Sequence, residues 1–287
     1  MKHALSFCGV TLISALLLSA CQTNNPTASK TNSITSSLTQ SDSSATKASS
    51  DSALAESEKI IEEKKLKPVE YTYSVNPAIF TIEPLKKEGN TKVALLTFDD
   101  APDKYAVEIA KKLKSVDAPA VFFVNGMYAE SDEGKQKLKE IHDMGFEIGN
   151  HSQTHANLSE ITPEEQRQEI VKTNELVYEI TGVKPRFFRA PYGVNTDVSA
   201  QIIEEEKMVF MNWTYGYDWE ADYQNPEALT DIMLNTDYLS DGANLLMHDR
   251  SWTSEAAIAI AEGLKEKGYT LIDPALIASP EREESTQ

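Results

Sequence analysis

The sequence is poor in cysteine: it has two, Cys8 and Cys21, both close to the N-terminus. A domain folded from the rest of the chain has no disulfide, no thiolate ligand and no thiol nucleophile, so its stability must come from a buried core. Basic residues are scarce too, with 27 Lys and Arg against 45 Asp and Glu and a formal net charge of −18. No basic stripe can then neutralise nucleic-acid phosphates, and no polybasic segment can hold the chain on anionic lipid. The plain effect of this charge is solubility. Repeats of the short solenoid kind are absent. What is present is an ordinary globular balance, 40% hydrophobic and 25% charged, over 287 residues, enough for one large domain.

The N-terminus reads as a targeting segment. Lys2 is followed by an apolar, uncharged stretch from Ala4 to Ala20, and Leu18-Ser19-Ala20-Cys21 resembles the lipobox of bacterial lipoproteins. That resemblance implies a signal peptide over 1–20 and lipidation of Cys21. A plain secretory signal or a membrane anchor is the competing reading, but the run is short for a bilayer span and small residues precede Cys21. A lipidated Cys21 places the protein on the extracellular face of the bacterial cell membrane, touching the membrane only through its anchor. Residues 21–57, rich in Ser and Thr, read as a disordered tether. Residues 58–91 read as an extension that packs on the main domain, with a charged stretch from Glu58 to Lys67 and strand-like residues between Tyr71 and Pro84. The main domain is expected over 92–278 and an acidic tail over 279–287. Nothing in the sequence fixes an oligomeric state.

From Thr91 onward apolar runs alternate with amphipathic stretches. Strands are expected at Val93–Phe98, Ala120–Val124, Glu147–Asn150, Arg186–Arg189, Val209–Thr214, Leu245–His248 and Thr270–Ile272. Helices are expected at Asp103–Ser115, Glu133–Met144, Pro163–Thr181, Thr196–Glu205, Pro226–Leu239 and Thr253–Lys267. Thr162-Pro163-Glu164-Glu165 is a strong helix start, with a capping oxygen, Pro in the first turn and acids at the positive dipole end. Repeated β-then-α units predict an α/β fold, a distorted (β/α) barrel of about seven parallel strands with helices outside.

Five polar stations fall at or just beyond the C-terminal ends of these strands: Thr97-Phe98-Asp99-Asp100, His151-Ser152-Gln153-Thr154-His155, Arg189-Ala190-Pro191-Tyr192-Gly193, Tyr217-Asp218-Trp219 and Leu246-Met247-His248. Strand C-termini of an α/β barrel converge on one face, where active sites lie. Asp99 and Asp100 could form an exposed turn, but at a strand end a divalent cation would relieve two adjacent carboxylates. His151 and His155 are spaced i, i+4, so a helical turn would bring both imidazoles to one side. With one carboxylate they make a set with positions left for water and substrate, suited best to Zn²⁺, with Co²⁺, Mn²⁺ or Ni²⁺ also compatible. His142, alone within a helix, reads as an ordinary surface or core residue.

In order and spacing these stations resemble the polysaccharide deacetylases of carbohydrate esterase family 4, the NodB homology domain, from about Lys92 to Ile272. The resemblance implies Asp99 as catalytic base and Asp100, His151 and His155 as ligands of one divalent metal. It implies that Arg189 orients Asp99 and that the Tyr192 backbone N–H helps bind the oxyanion. It further implies that Asp218 tunes His248, the general acid, while Trp219 walls the groove and Leu246 shapes the acetyl pocket. Amide hydrolysis needs such parts: carbonyl polarisation, a base for water, a donor for the oxyanion, and an acid for the leaving amine. A carboxylate-paired His248 is expected to have a raised pKa.

Among the aromatics, Trp213 reads as core, Tyr217 as core or rim, Trp219 as either rim or sugar-stacking surface, and Trp252 as a substrate contact. Two positions depart from the family pattern. Ala101 stands where the family usually has Gly, which would strain a backbone of positive φ, and Tyr215-Gly216-Tyr217 stands where an additional Asp is common. The expected activity is metal-dependent deacetylation of an acetylated glycan, an extracellular N-acetylglucosamine polymer with peptidoglycan foremost. The alternatives are an O-acetyl esterase on a xylan-like glycan and a catalytically silent wall-binding lipoprotein.

Overall fold

The computed structural model describes residues 70–280. The expected signal segment, Cys21, the tether, the charged stretch up to residue 69 and the tail from residue 281 lie outside the described residues.

The sheet grows around β3 (Val93–Ala101), whose VALLTFDDA sequence is almost entirely buried. A strand apolar on both sides belongs in the middle of a parallel sheet covered by helices. β3 pairs in parallel with β4 (Ala120–Val124) on one side and with β9 (Ala243–His248) on the other, in register from Ala94 opposite Ala243 to Asp99 opposite His248. β5 (Glu147–Asn150), β6 (Phe187–Phe188) and β7 (Val209–Phe210) continue beyond β4, and β8 (Tyr215–Gly216) flanks β9. β10 (Thr270–Leu271) joins the first residues of β3. The parallel strands curl into a half-barrel whose end strands are β7 and β8, matching the fold expected from the alternation.

Helices α1 (Ala106–Ser115), α3 (Asp132–Asp143), α4 (Pro163–Thr181), α5 (Asp197–Glu205), α6 (Pro226–Asn235) and α7 (Ser251–Glu266), with the short α2 (Gly126–Ala129), fill the connections. α4 begins as its sequence predicts: Thr162 and Glu165 form a capping box, Pro163 occupies the first turn, and Gly182 ends the helix at φ 76°. The period of two in β3 divides the core. Ala94, Leu96 and Phe98 join the cluster shared with the outer helices, whereas Val93 and Leu95 join Val121, Phe123 and Phe187 in a second cluster. The antiparallel pair β1 (Tyr73–Val75) and β2 (Ile82–Pro84) adds Tyr73 and Ile82 to that second cluster. Ile82 N donates to Gly242 O at 2.8 Å, and a Cβ on Gly242 would meet Ile82 O at 2.5 Å. Tyr73 and Ile82 thus pack on the barrel.

Two elements are shorter than their sequences suggest. The run Val209–Thr214 is one strand by composition, but it stops at Phe210 because Arg189 takes its next carbonyls: Nε donates to Met211 O at 2.7 Å and Nη2 to Asn212 O at 3.1 Å. α6 ends at Asn235 rather than Leu239, where Thr236 turns extended and its Oγ1 meets Tyr217 Oη at 2.7 Å.

Candidate active site

The five stations meet at one cleft of about 460 Å³, lined by Asp99, Asp100, His151, His155, Tyr192, Trp213, Trp219, Leu246, His248 and Arg250 among others. The end of β3 supplies two adjacent carboxylates to it. In a regular strand, neighbours point to opposite faces. Here the register with β4 shifts between Phe98 and Ala101, and Asp100 adopts φ 63°, so both side chains reach the cleft. The strain anticipated at Ala101 therefore falls on Asp100 instead; Ala101 is a buried strand residue without positive φ.

Donor atoms of Asp100, His151 and His155 all lie within 4.8 Å of one another. The expected helical turn between the two histidines is not what joins them. Residues 151–157 form a loop in which Ser152 and His155 have φ values of 67° and 60°. Asn150 Oδ1 accepts from Ser152 N at 2.8 Å, and Ser152 Oγ accepts from His155 N at 3.1 Å. This folds the rings to a centroid separation of 4.9 Å. Behind the loop, Glu169 on α4 accepts from both Thr154 N and Thr154 Oγ1 at 2.7 Å. His151 Nδ1 lies 2.7 Å from Arg189 O, which assigns a proton to Nδ1 and leaves Nε2 as the donor atom.

The electrostatics suit a cation. Burial disfavours ionisation of Asp100, but His151, His248, His155 and Arg250 together outweigh it and hold the carboxyl below its ordinary pKa. Burial, assisted by His151, holds the His155 imidazole below its ordinary value against the pull of Asp100 and Asp99. An ionised carboxylate beside imidazoles, one of them biased to its neutral form, is a fitting donor set for a divalent ion of the zinc type.

Asp99 faces the same space. Its Oδ1 accepts from Arg189 Nη1 at 2.6 Å, and its Oδ2 lies 3.5 Å from His151 Nε2. Arg189 has no exposure, stacks over Phe123 at 4.2 Å and also donates from Nη1 to Thr97 Oγ1 at 2.8 Å. Opposite, His248 Nδ1 lies 2.6 Å from Asp218 Oδ1, and Asp218 Oδ2 accepts from His248 N at 2.6 Å and from Thr253 Oγ1 at 2.7 Å. Burial disfavours the imidazolium, but the hydrogen bond and charge of Asp218, with the fields of Asp99 and Asp100, raise the His248 pKa above its ordinary value. With Nδ1 engaged, Nε2 is the nitrogen left for the cleft.

The cleft walls correct some expectations for the aromatics. Trp213 is not core: it is half-buried, lines the cleft and packs against Gly193. Trp252 is not a substrate contact, because its indole Nε1 donates to Asp218 O at 2.8 Å and its ring packs on the core. Tyr217 packs on that core too. Trp219, 43% exposed, stands edge-on to His248, and Tyr192, 66% exposed at φ 58°, stands edge-on to His155. Leu246 is buried at the cleft floor.

Two residues were missed. Arg250 Nη2 donates to Asp100 Oδ2 at 2.9 Å. Asp249 is buried and accepts from Lys104 N at 3.1 Å and from Tyr105 N, fixing the loop after Asp100 to the end of β9. Both follow His248 directly, and a charged pair leaving a strand end was the available signal.

The polysaccharide deacetylase family model matches residues 86–211, a stretch that includes Asp99, Asp100, both cleft histidines of the loop, Arg189 and Tyr192 but ends before Asp218 and His248. A peptidoglycan-N-acetylglucosamine deacetylase of Bacillus cereus is 31% identical over 190 residues, covering 64% of this chain and 67% of that protein. The solved structure of the peptidoglycan deacetylase PdaC of Bacillus subtilis matches with a TM-score of 0.57 at 30% identity, covering 65% of this chain and 89% of that one. Against full-length PdaC the chain spans only 42%. A family 4 carbohydrate esterase pseudoenzyme from Bacillus anthracis is also similar, with a TM-score of 0.58 and 30% identity over 72% of this chain and 68% of that one.

Proposed function

Since this chain belongs to the polysaccharide deacetylase family, we propose that it hydrolyses N-acetyl groups from an extracellular N-acetylglucosamine polymer, peptidoglycan foremost. The observation that carries the reading is one cleft in which an arginine-held carboxylate and a carboxylate-paired imidazole flank a two-histidine, one-carboxylate donor set. The choice of peptidoglycan rests on likeness to proteins named for acting on it.

Asp100, His151 and His155 would hold the metal, zinc foremost, with cobalt, manganese or nickel also compatible with the donors. When bound, it supplies Lewis acidity toward the acetyl carbonyl and lowers the pKa of water. Asp99 takes the proton of the attacking water with the oxygen that Arg189 leaves unheld, Oδ2. The backbone N–H of Tyr192 donates to the developing oxyanion. His248 gives a proton from Nε2 to the departing amine, and Asp218 stabilises the imidazolium that must exist beforehand. Leu246 packs on the acetyl methyl group, and Trp219 walls the sugar. Cys21, lipidated, would hold the enzyme at the outer face of the membrane; labelling with a fatty acid, lost in Cys21→Ala, tests this.

The test is acetate release from peptidoglycan, chitin oligomers and acetylxylan after reconstitution with each metal, with mass analysis of the product. A new amine supports the reading, whereas a new hydroxyl makes the protein an esterase. Because a similar solved protein is a pseudoenzyme, glycan binding without acetate release under any of the metals would replace the hydrolase with a wall-binding protein.

A further inference from the structure

Arg250 has no part in the reaction just described, yet it lines the cleft with 39% of its side chain exposed. Its Nη2 donates to Asp100 Oδ2 and its Nη1 to Asp249 O at 3.2 Å. Among the described residues these hydrogen bonds use one N–H of each Nη group, and the rest of the guanidinium is left to the cleft. The other nearby guanidinium, Arg189, is fully buried and engaged by Asp99, Thr97, Met211 and Asn212. Arg250 is thus the guanidinium that a substrate can meet on this lining.

Its setting gives that contact selectivity. The chain carries a net charge of −18, so an anionic group is disfavoured near most of the surface and is held only where a cation stands at contact distance. Asp100 neutralises Arg250 now through Oδ2, while Asp100 Oδ1 lies 3.7 Å from His155 Nε2, on the donor-set side. Were Asp100 to share its charge with a divalent cation, Arg250 would lack a full counter-charge. A carboxylate from the substrate can supply it, in the paired geometry that guanidinium groups favour.

We propose that Arg250 is a specificity-determining residue, selecting acetylated sugars that bear a carboxylate on the ring carbon beside the acetamido group. The proposal rests on the deacetylase reading of the same cleft. The guanidinium lies one hydrogen bond from Asp100, on the lining of the cleft that a sugar would occupy. A neutral polymer of the chitin type leaves this cation unanswered.

The test uses the metal-loaded protein and a tetrasaccharide of alternating N-acetylglucosamine and N-acetylmuramic acid with free lactyl carboxylates. The control is the same sugar with each carboxylate converted to its methylamide, which removes charge and little else. Wild-type protein should favour the carboxylate form by about tenfold in kcat/KM, through KM rather than kcat, and less so at high salt. Arg250→Gln should bring that ratio close to unity, and Arg250→Lys should leave it intermediate. Because the readout is a ratio, any loss shared by both substrates through Asp100 cancels. A wild-type ratio near unity, or a ratio unchanged in Arg250→Gln, overturns the proposal. Calorimetric binding of both sugars separates the two levels. If no sugar is deacetylated but the binding preference exists and vanishes in Arg250→Gln, the reaction falls and Arg250 stands. If chitin oligomers are deacetylated without any charge preference, Arg250 alone falls.

Discussion

Asp99 is positioned by a guanidinium that solvent does not reach, so its placement is set before a substrate arrives. Asp99→Asn keeps an oxygen for Arg189 but removes the charge that compensates it. Turnover should fall by at least a hundredfold while calorimetry still finds the metal bound. The buried cation left uncompensated should also lower Tm by several degrees; unaltered turnover would remove Asp99 from the role of base. His248 gives a second prediction, with a definite sign. A raised pKa means that the imidazolium survives above the ordinary histidine range and is lost only as pH climbs through the raised value. Activity should therefore decline on the alkaline side, above where an unpaired histidine would titrate. Asp218→Asn removes the partner that raises the pKa, so the alkaline limb of kcat/KM should move to lower pH. An unmoved limb would take the general acid away from His248.

At the scale of elements, the loop carrying His151 and His155 depends on α4. Glu169 holds Thr154 through both carboxylate oxygens, and such outer contacts orient the ligands. Glu169→Ala should weaken metal affinity by about tenfold, measured by calorimetry, with circular dichroism unchanged. The strands and helices were legible because burial imposes periods of two and near four, and β4, β5 and α4 begin and end where their sequences say. What escaped notice depended on contacts distant in sequence. Nothing local in Val209–Thr214 shows that Arg189 will claim its carbonyls. Nothing in a histidine spacing of four distinguishes a helical turn from a loop with two left-handed residues. That the five stations would share one cleft was legible because strand ends converge, whereas Trp213 and Trp252 exchanged roles because an aromatic side chain serves equally as wall or brace.

For the whole molecule, folding and metal binding would be linked through two separate segments, the end of β3 and the loop after β5. A metal that binds only the assembled cleft stabilises the folded state by mass action. Addition of zinc should raise Tm by several degrees and abolish the response to a second addition, chelation should reverse it, and Asp100→Ala should show no shift. A shift that persists in Asp100→Ala would place the ion elsewhere. No helix among the described residues is long and apolar enough to cross a membrane; the lipidation proposed at Cys21 is tested by the labelling experiment.

Arg189 both ends a strand and grips Asp99, and this has a consequence for descent. A lineage released from the need for turnover could lose the His248 side chain only by taking the imidazole from buried Asp218, which would keep the His248 backbone N–H and Thr253 as donors. It could not shed Arg189 or Asp99 singly, because either loss strands a buried charge and, for Arg189, takes the donor from the Met211 carbonyl. In such a lineage Asp99 and Arg189 would persist together as relics kept by architecture.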